Sequence, residues 1–405
     1  MVVSARRAEG PLLPLIPAAH VDRRDVRMLV VDPTSRRLDI AAFATLPARL
    51  APGDLLVVND AATLPASLLG VDASGRPLEL RLVGPPVGAR AWAVLFGPGD
   101  HRTRTEDRLA PPALPPGSPV FFGGQDLPPQ HLESADESGA NAHFGRRSRL
   151  RVSSQEANDF NNLGPMILSP SGPSGLGATV RGRSERSERL VEIEFDRDGD
   201  GLWSALYRLG RPVQYAHRPE PLALWDVQTV YAGRPWAAEM PSAGRPLTWE
   251  VLAPLAARGV RVVALTHAAG LSATGDAALD AALPLPERYD IPAATATAVA
   301  ETRARGGRIV AVGTSVVRAL EAAALAEQGY VRAGVGVAEI VLDEHVRPQV
   351  VDGLVSGVHG PGESHYRLLA AFLDAPLLAA MWARAAAAGL ATHELGDATL
   401  ILPSG

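Results

Sequence analysis

Residues 289–321 constrain the fold of this chain more than any other stretch. They read Tyr289-Asp-Ile-Pro-Ala-Ala-Thr-Ala-Thr-Ala-Val-Ala-Glu-Thr-Arg-Ala-Arg-Gly-Gly-Arg-Ile-Val-Ala-Val-Gly-Thr-Ser-Val-Val-Arg-Ala-Leu-Glu321. Pro292 suits a first helical turn and Gly306-Gly307 a helix stop. Arg308 to Val312 is a short apolar run of the kind shown by a parallel strand covered on both faces. Gly313-Thr314-Ser315 then falls where that strand ends and a second helix begins. In open α/β sheets ligands bind along this carboxyl edge, and the free N–H groups of a helix N-terminus favour anions there.

The rest of the chain fits an α/β frame with an interruption. Met28 to Val31 and Leu55 to Val58 read as strands. From Leu64 to Phe122 the pattern changes to short β segments (Leu78–Val83, Ala91–Phe96, Pro119–Phe122) divided by Gly and Pro, which predicts a small barrel or sandwich. The stretch 123–175 is polar, Gly/Ser/Asn-rich and aperiodic, as expected of a long flexible insertion. Arg189 to Phe195 resumes strand character and would close the barrel. Beyond Asp200, helices (Leu202–Leu209, Trp249–Arg258, Tyr366–Leu373, Leu377–Ala388) alternate with strands (Val260–Leu265, Val337–Leu342, Ala398–Leu402), the pattern of a covered, mostly parallel sheet. The expected fold is therefore a large, mostly parallel α/β domain, residues 1–62 and 196–405, carrying an inserted small antiparallel β-barrel, residues 63–195.

Composition excludes several functions. The absence of cysteine rules out disulfides, thiolate catalysis and Cys-based metal centres. No apolar run approaches the roughly 18 residues that a membrane span needs, and Met1 to Pro17 lacks a signal-peptide core, so a cytoplasmic location is expected. The net charge of -5 leans away from a dedicated nucleic-acid binder. The basic clusters, Arg146 to Arg151 and Arg181 to Arg189, lie in polar Ser/Gly-rich sequence and read as solvated loops.

Candidate chemistry collects at strand ends. Asn59-Asp60 follows a buried strand, and either reads a ligand's polar groups or makes an Asx turn. Gln228 and Tyr231 lie in an apolar run, where Tyr231 is either a ligand contact or a core residue with a satisfied hydroxyl. Pro241-Ser-Ala-Gly244 is a backbone-amide nest or an ordinary N-cap. The ten histidines show no metal-ligand spacing. His267 and His359 are the two best placed for chemistry, although a lone histidine is more often a structural or surface residue. Phosphate-loop, dinucleotide and nucleophile-elbow signatures are missing.

Taken in order, Gly53-Asp-Leu-Leu-Val-Val-Asn-Asp60, Pro65-Ala66, Gln228-Thr-Val-Tyr-Ala232, Pro241-x-Ala-Gly244, Tyr289-x-Ile-Pro292, Gly306-Gly-Arg-Ile-Val-Ala-Val-Gly-Thr-Ser315 with Arg318 and Glu321, and Gly396-Asp397 resemble the S-adenosylmethionine:tRNA ribosyltransferase-isomerase family of queuosine biosynthesis. The resemblance spans roughly residues 18–403 outside the polar insertion. It implies the same two-part fold and an enzyme that transfers the ribosyl part of S-adenosylmethionine to the aminomethyl group of a 7-deazaguanine base in tRNA. The ribose rearranges to an epoxycyclopentanediol, giving epoxyqueuosine with loss of adenine and methionine. S-adenosylmethionine is then a co-substrate, with no separate cofactor or metal, and tRNA is the second partner. It further implies Asn59, Gln228, Tyr231, Gly313, Thr314, Ser315 and Arg318 as substrate-binding residues, with His359 and Asp60 for acid/base work.

The chain departs from the family pattern at several positions. Pro246 stands where the family has a histidine, and His267 is displaced by one position. Leu285-Pro-Glu287 keeps only the glutamate of Met-His-Ser-Glu. Asn59-Asp-Ala-Ala62 lacks an arginine, and His359-Gly-Pro-Gly-Glu363 keeps its histidine but lacks a lysine. Such changes leave two alternatives: a diverged paralogue using S-adenosylmethionine or a related nucleoside with a different acceptor, macromolecular or small, or a non-catalytic nucleoside-binding protein.

Overall fold

The structure is a computed structural model that describes residues 22–123, 175–393 and 395–404. The N-terminal stretch 1–17, the Arg146–Arg151 cluster and nearly all of the polar 123–175 stretch lie outside the described residues.

The chain opens with a hairpin of β1 (Arg27–Asp32) and β2 (Arg37–Ala42), a single turn α1 (Leu46–Arg49), and β3 (Leu55–Asn59), in which every residue is buried. A short strand β4 (Ala61–Thr63) leads into β5 (Ser67–Asp72), β6 (Pro77–Leu82), β7 (Arg90–Phe96), β8 (Pro119–Phe122), β9 (Leu176–Ser184) and β10 (Ser187–Phe195). These last six form a closed antiparallel barrel in the order β10-β7-β6-β5-β8-β9. The arginine-rich stretch 181–189, expected as a loop, is instead the hairpin between the two longest barrel strands. Val180, Val191 and Ile193 point inward there, Arg181 and Arg186 are exposed, and Arg183 and Arg189 are partly buried, with Arg189 reaching to 6.0 Å from the Phe96 ring centre.

The second half supplies α2 (Gly199–Leu209), α3 (Leu224–Val227), β11 (Arg234–Ala237), α4 (Trp249–Ala257), β12 (Arg261–His267), α5 (Ala277–Ala281) and β13 (Glu287–Ile291). It continues with α6 (Ala293–Ala304), β14 (Ile309–Val312), α7 (Thr314–Ala326), β15 (Gly334–Ala338), β16 (Gly353–Gly357), α8 (Ser364–Leu369), α9 (Ala375–Ala387) and β17 (Ala398–Ile401). Nine strands make one sheet in the order β15-β13-β12-β3-β14-β16-β17-β1-β2. Its centre, β12-β3-β14-β16, is parallel, and antiparallel pairs close it on both sides. Pro292 sits one residue before α6, as its N-cap.

Three apolar layers hold this together. One face of the sheet packs Leu55, Val57, Ile309 and Ala311 against α6, α7 and α9. The other packs Leu56, Val58, Val310 and Val312 against α1 and α4. The barrel interior draws in Leu202 and Leu206 of α2, together with Val213, Tyr215, Ala238 and Leu271 from the following chain. Residues after the last barrel strand therefore weld the barrel to the sheet. Among the described residues, no helix is long and apolar enough to cross a membrane.

Candidate functional site

The four central strands point their carboxyl ends the same way, so Asn59-Asp60, Thr266-His267, Gly313-Thr314-Ser315 and Ser356 to His359 arrive at one edge. The barrel faces that edge. The loop leaving β12 is tied to it by Ser187 Oγ donating to Asp276 (2.6 Å), and buried Tyr215 donates to Glu239, which also accepts from the Ser272 N–H (2.6 Å).

Gly313 is the centre of the edge. Its φ of +92° is easy only for glycine, and it lets β14 turn straight into α7. As the first residues of a 13-residue helix, Thr314 and Ser315 have N–H groups with no intrahelical acceptor, a ready site for an anion. Pro241-Ser-Ala-Gly244 lies alongside as a 3-10 turn, its Ala243 next to Gly313.

On one flank, Asp60 accepts from Thr266 Oγ1 (2.6 Å) through Oδ1, while Oδ2 has no donor among the described residues. On the other flank stands His359, whose Nδ1 is 3.2 Å from Glu363 Oε2 and whose Nε2 is 3.2 Å from Ser356 Oγ. One strand, β14, separates the two ends, so at a strand spacing of about 4.8 Å they lie roughly 10 Å apart. That span accommodates a nucleoside.

The remaining expected contacts are engaged by the protein itself. Asn59 Nδ2 donates to His267 O (3.0 Å) and lies 3.5 Å from Ser315 Oγ, and its Oδ1 accepts from the N–H groups of Ala61 (3.0 Å) and His267 (2.9 Å). An amide offers two donors and two lone pairs, and all four face protein groups. Gln228 is paired both ways with the backbone of Thr63, at 2.9 Å each. Tyr231 directs its hydroxyl to Gly244 O (3.4 Å) from a half-buried position. Arg318 is buried against Glu287 and donates to Ala338 O (2.9 Å). These four brace the edge; the polar groups that no described side chain engages are Asp60 Oδ2 and the first N–H groups of α7, and His359, partnered by Glu363 and Ser356, keeps partial exposure on the far flank.

The two favoured histidines part company. His267 is fully buried, its ring nitrogens have no hydrogen-bond partner among the described residues, and its Nε2 lies 3.5 Å from Glu287 Oε2. Burial, and behind it the Arg318 cation, pushes its pKa down to about 3, so it is neutral at physiological pH. His359 keeps some exposure and two polar partners. Around it stand groups that composition and motif reading had not joined: Ser356, Glu363, His365 stacked on His359 (4.6 Å), and the stacked pair His217–His393 (3.4 Å). The one usable signal was the four-residue spacing of His359 and Glu363. Ser356 was hidden because β16 is a five-residue strand bounded by glycines. No group of three or more metal-ligating side chains converges among the described residues.

A family model described as queuosine biosynthesis protein matches residues 12–401. An S-adenosylmethionine:tRNA ribosyltransferase-isomerase from Anaeromyxobacter sp. (strain K) is 33% identical over 398 residues, covering 96% of each chain. The enzyme of that name from Thermosynechococcus vestitus is 32% identical over 369 residues, covering 89% of this chain and 85% of its own. A solved S-adenosylmethionine tRNA ribosyltransferase from Thermotoga maritima is 20% identical, with a TM-score of 0.44 over 94% of this chain and 93% of that one.

Proposed function

The chain belongs to the queuosine biosynthesis protein family, and from that premise we propose that it transfers and isomerises the ribosyl moiety of S-adenosylmethionine onto the 7-aminomethyl-7-deazaguanine base of tRNA. The products are epoxyqueuosine in the tRNA, adenine and methionine. The observation that carries this reading is the extent of the family match: residues 12–401 include the barrel and every strand that ends at the candidate site.

The open groups suit the chemistry. The N-terminus of α7 takes the methionyl carboxylate, the one anionic group of the co-substrate. The free oxygen of Asp60 lies beside that turn and balances the sulfonium. The sulfonium acidifies the adjoining carbon, and His359 takes the proton from it; the same group then returns a proton to the departing adenine. The barrel shields the edge from water while the reactive intermediate exists. S-adenosylmethionine acts as co-substrate with no separate cofactor assigned, and the cytoplasm, where tRNA is available, is the proposed location.

The test is to incubate purified protein with S-adenosylmethionine, with and without tRNA bearing the aminomethyl-deazaguanine base, and to follow adenine and methionine by chromatography. Release of both only in the presence of that tRNA is expected. Release of neither, with both substrates present, would overturn the reading.

A further inference from the structure

Resting on the assignment of His359 as the base, we propose that Glu363 is its positioning residue: the carboxylate holds Nδ1–H and leaves Nε2, the nitrogen facing Ser356, as the basic atom. The loop joining β16 to α8 is shaped for this pairing. Gly362 takes a φ of +96°, and a Cβ on Gly360 would come within 2.9 Å of the Trp382 ring and 3.4 Å of Glu363 Oε1. Glycine at both places lets the loop fold back until the fourth residue after His359 meets its ring.

The direction in which Glu363 points decides against an ordinary helix cap. Its backbone is the N-cap of α8, yet its side chain makes no hydrogen bond to the helix amides. It turns back to His359 instead, at 3.2 Å. An ionised carboxylate only accepts, so the shared proton belongs to Nδ1 of His359, and Nε2 then accepts from the Ser356 hydroxyl. Burial is the largest influence on Glu363 and works against its charged form; the hydrogen bond and charge of His359, the nearby His393 and the Gly360 N–H together outweigh it and hold the carboxyl below its ordinary range. Ser356 is only 2% exposed, so its hydroxyl is a fixed partner rather than a wandering one.

Burial favours the neutral form of the other histidines near His359. His365 stacks on its ring with planes 13° apart, and burial, followed by the charge of His359, pushes His365 down to about 3. His217 and His393, from the chain after α2 and before β17, are both shifted toward the neutral form by burial. Arg318 of α7 is a cation within electrostatic reach of His365, and Glu363 is the carboxylate facing the group. When Nε2 accepts a proton, the carbon–hydrogen bond breaks, its electron pair stays on the carbon beside sulfur, and the imidazolium is held between Glu363 and a neutral ring. No oxidant or reductant is needed.

The test uses the full-length protein and Glu363→Gln, with Glu363→Asp as the conservative variant. Nitrogen-15 NMR of labelled histidines, with His359→Gln to assign the signal, reads the tautomer without any substrate. The wild type is expected to show His359 protonated at Nδ1 alone, and Glu363→Gln to lose that preference and titrate at lower pH. In adenine release, Glu363→Gln is expected to lower kcat about ten-fold or more with KM for S-adenosylmethionine within about two-fold, and to move the acid limb of the pH profile downward. Glu363→Asp should restore part of both. An unchanged tautomer and acid limb in Glu363→Gln, or parallel losses in kcat, KM and Tm, would overturn the positioning role. A wild type that releases no adenine overturns the proposed function, and the tautomer then still decides the role of Glu363.

Discussion

Asn59 and His267 are joined twice across neighbouring strands: the Asn59 amide donates to the His267 carbonyl at 3.0 Å and accepts from its N–H at 2.9 Å. A side chain here does the work of a ladder pair just where β3 and β12 run out of backbone pairing, and so fixes the spacing of the ligand edge.

Asn59→Ala is therefore expected to act on stability. It leaves the His267 and Ala61 N–H groups without partners in a buried place, while the His267 carbonyl keeps the Ala269 N–H at 3.0 Å, a loss of about 2–4 kcal/mol. Urea unfolding measures it. A variant within about 0.5 kcal/mol of wild type contradicts the bracing role.

The buried pair of Glu287 and Arg318 makes a similar prediction with a sharper signature. Their side chains are 12% and 5% exposed, and Glu287 also accepts from the Gly270 N–H at 2.6 Å. Removing one partner strands a buried charge, so Arg318→Met or Glu287→Gln should each cost about 3–5 kcal/mol, and the double variant clearly less than the sum. Strict additivity in a denaturation cycle would argue that the two do not act as a unit.

Acid should destabilise this protein early. His267 and His365 have folded-state values of about 3, against 6.5 for an unperturbed histidine. Below pH 6.5 the unfolded chain binds protons that the folded chain refuses, so stability falls as pH drops through the window from 6.5 toward 3. Each group contributes up to about 1.4 kcal/mol per pH unit. Urea midpoints at pH 7.0 and 5.0 check this, and His267→Asn should flatten the slope by about one proton. An equal slope in that variant contradicts a neutral, buried His267.

Asp60→Asn and His359→Gln test the two flanks of the edge. Both residues are at least partly open and neither is in a hydrophobic core, so Tm should change little. The rate of adenine release should fall about 100-fold or more for His359→Gln, the scale of a lost general base. Asp60→Asn should mainly raise KM for S-adenosylmethionine, because its free oxygen is assigned to the sulfonium. Steady-state kinetics on folded variants distinguish the two patterns.

Much of the frame was legible in the chain, and for physical reasons. The run Ile309–Val312 followed by Gly313 has one economical reading, a buried strand turning sharply into a helix, and the barrel strands carry period-two burial that survives in Arg189–Phe195. What escaped was short or glycine-rich. β13 hides its alternation in five residues, Glu287 to Ile291, whose Arg288 and Asp290 look like a charged loop. The site was legible only as a set of strand ends. Sequence places Asn59, Gln228 and Arg318 at the edge but cannot say that their polar groups are consumed by His267, Thr63 and Glu287. Nor can it gather His217 and His393 near His359, since those contacts join segments that lie far apart along the chain, or show that the loop before α8 folds His365 back onto the His359 ring.

The most direct test of the central claim follows atoms rather than rates. S-adenosylmethionine labelled with carbon-13 in its ribose, and in parallel in its methyl group, is supplied with tRNA carrying the aminomethyl-deazaguanine base, and the digested tRNA is read by mass spectrometry. The account predicts that the ribose label appears in the modified nucleoside and the methyl label stays with methionine. Methyl label in the tRNA, or ribose label absent from it after adenine has been released, would contradict it.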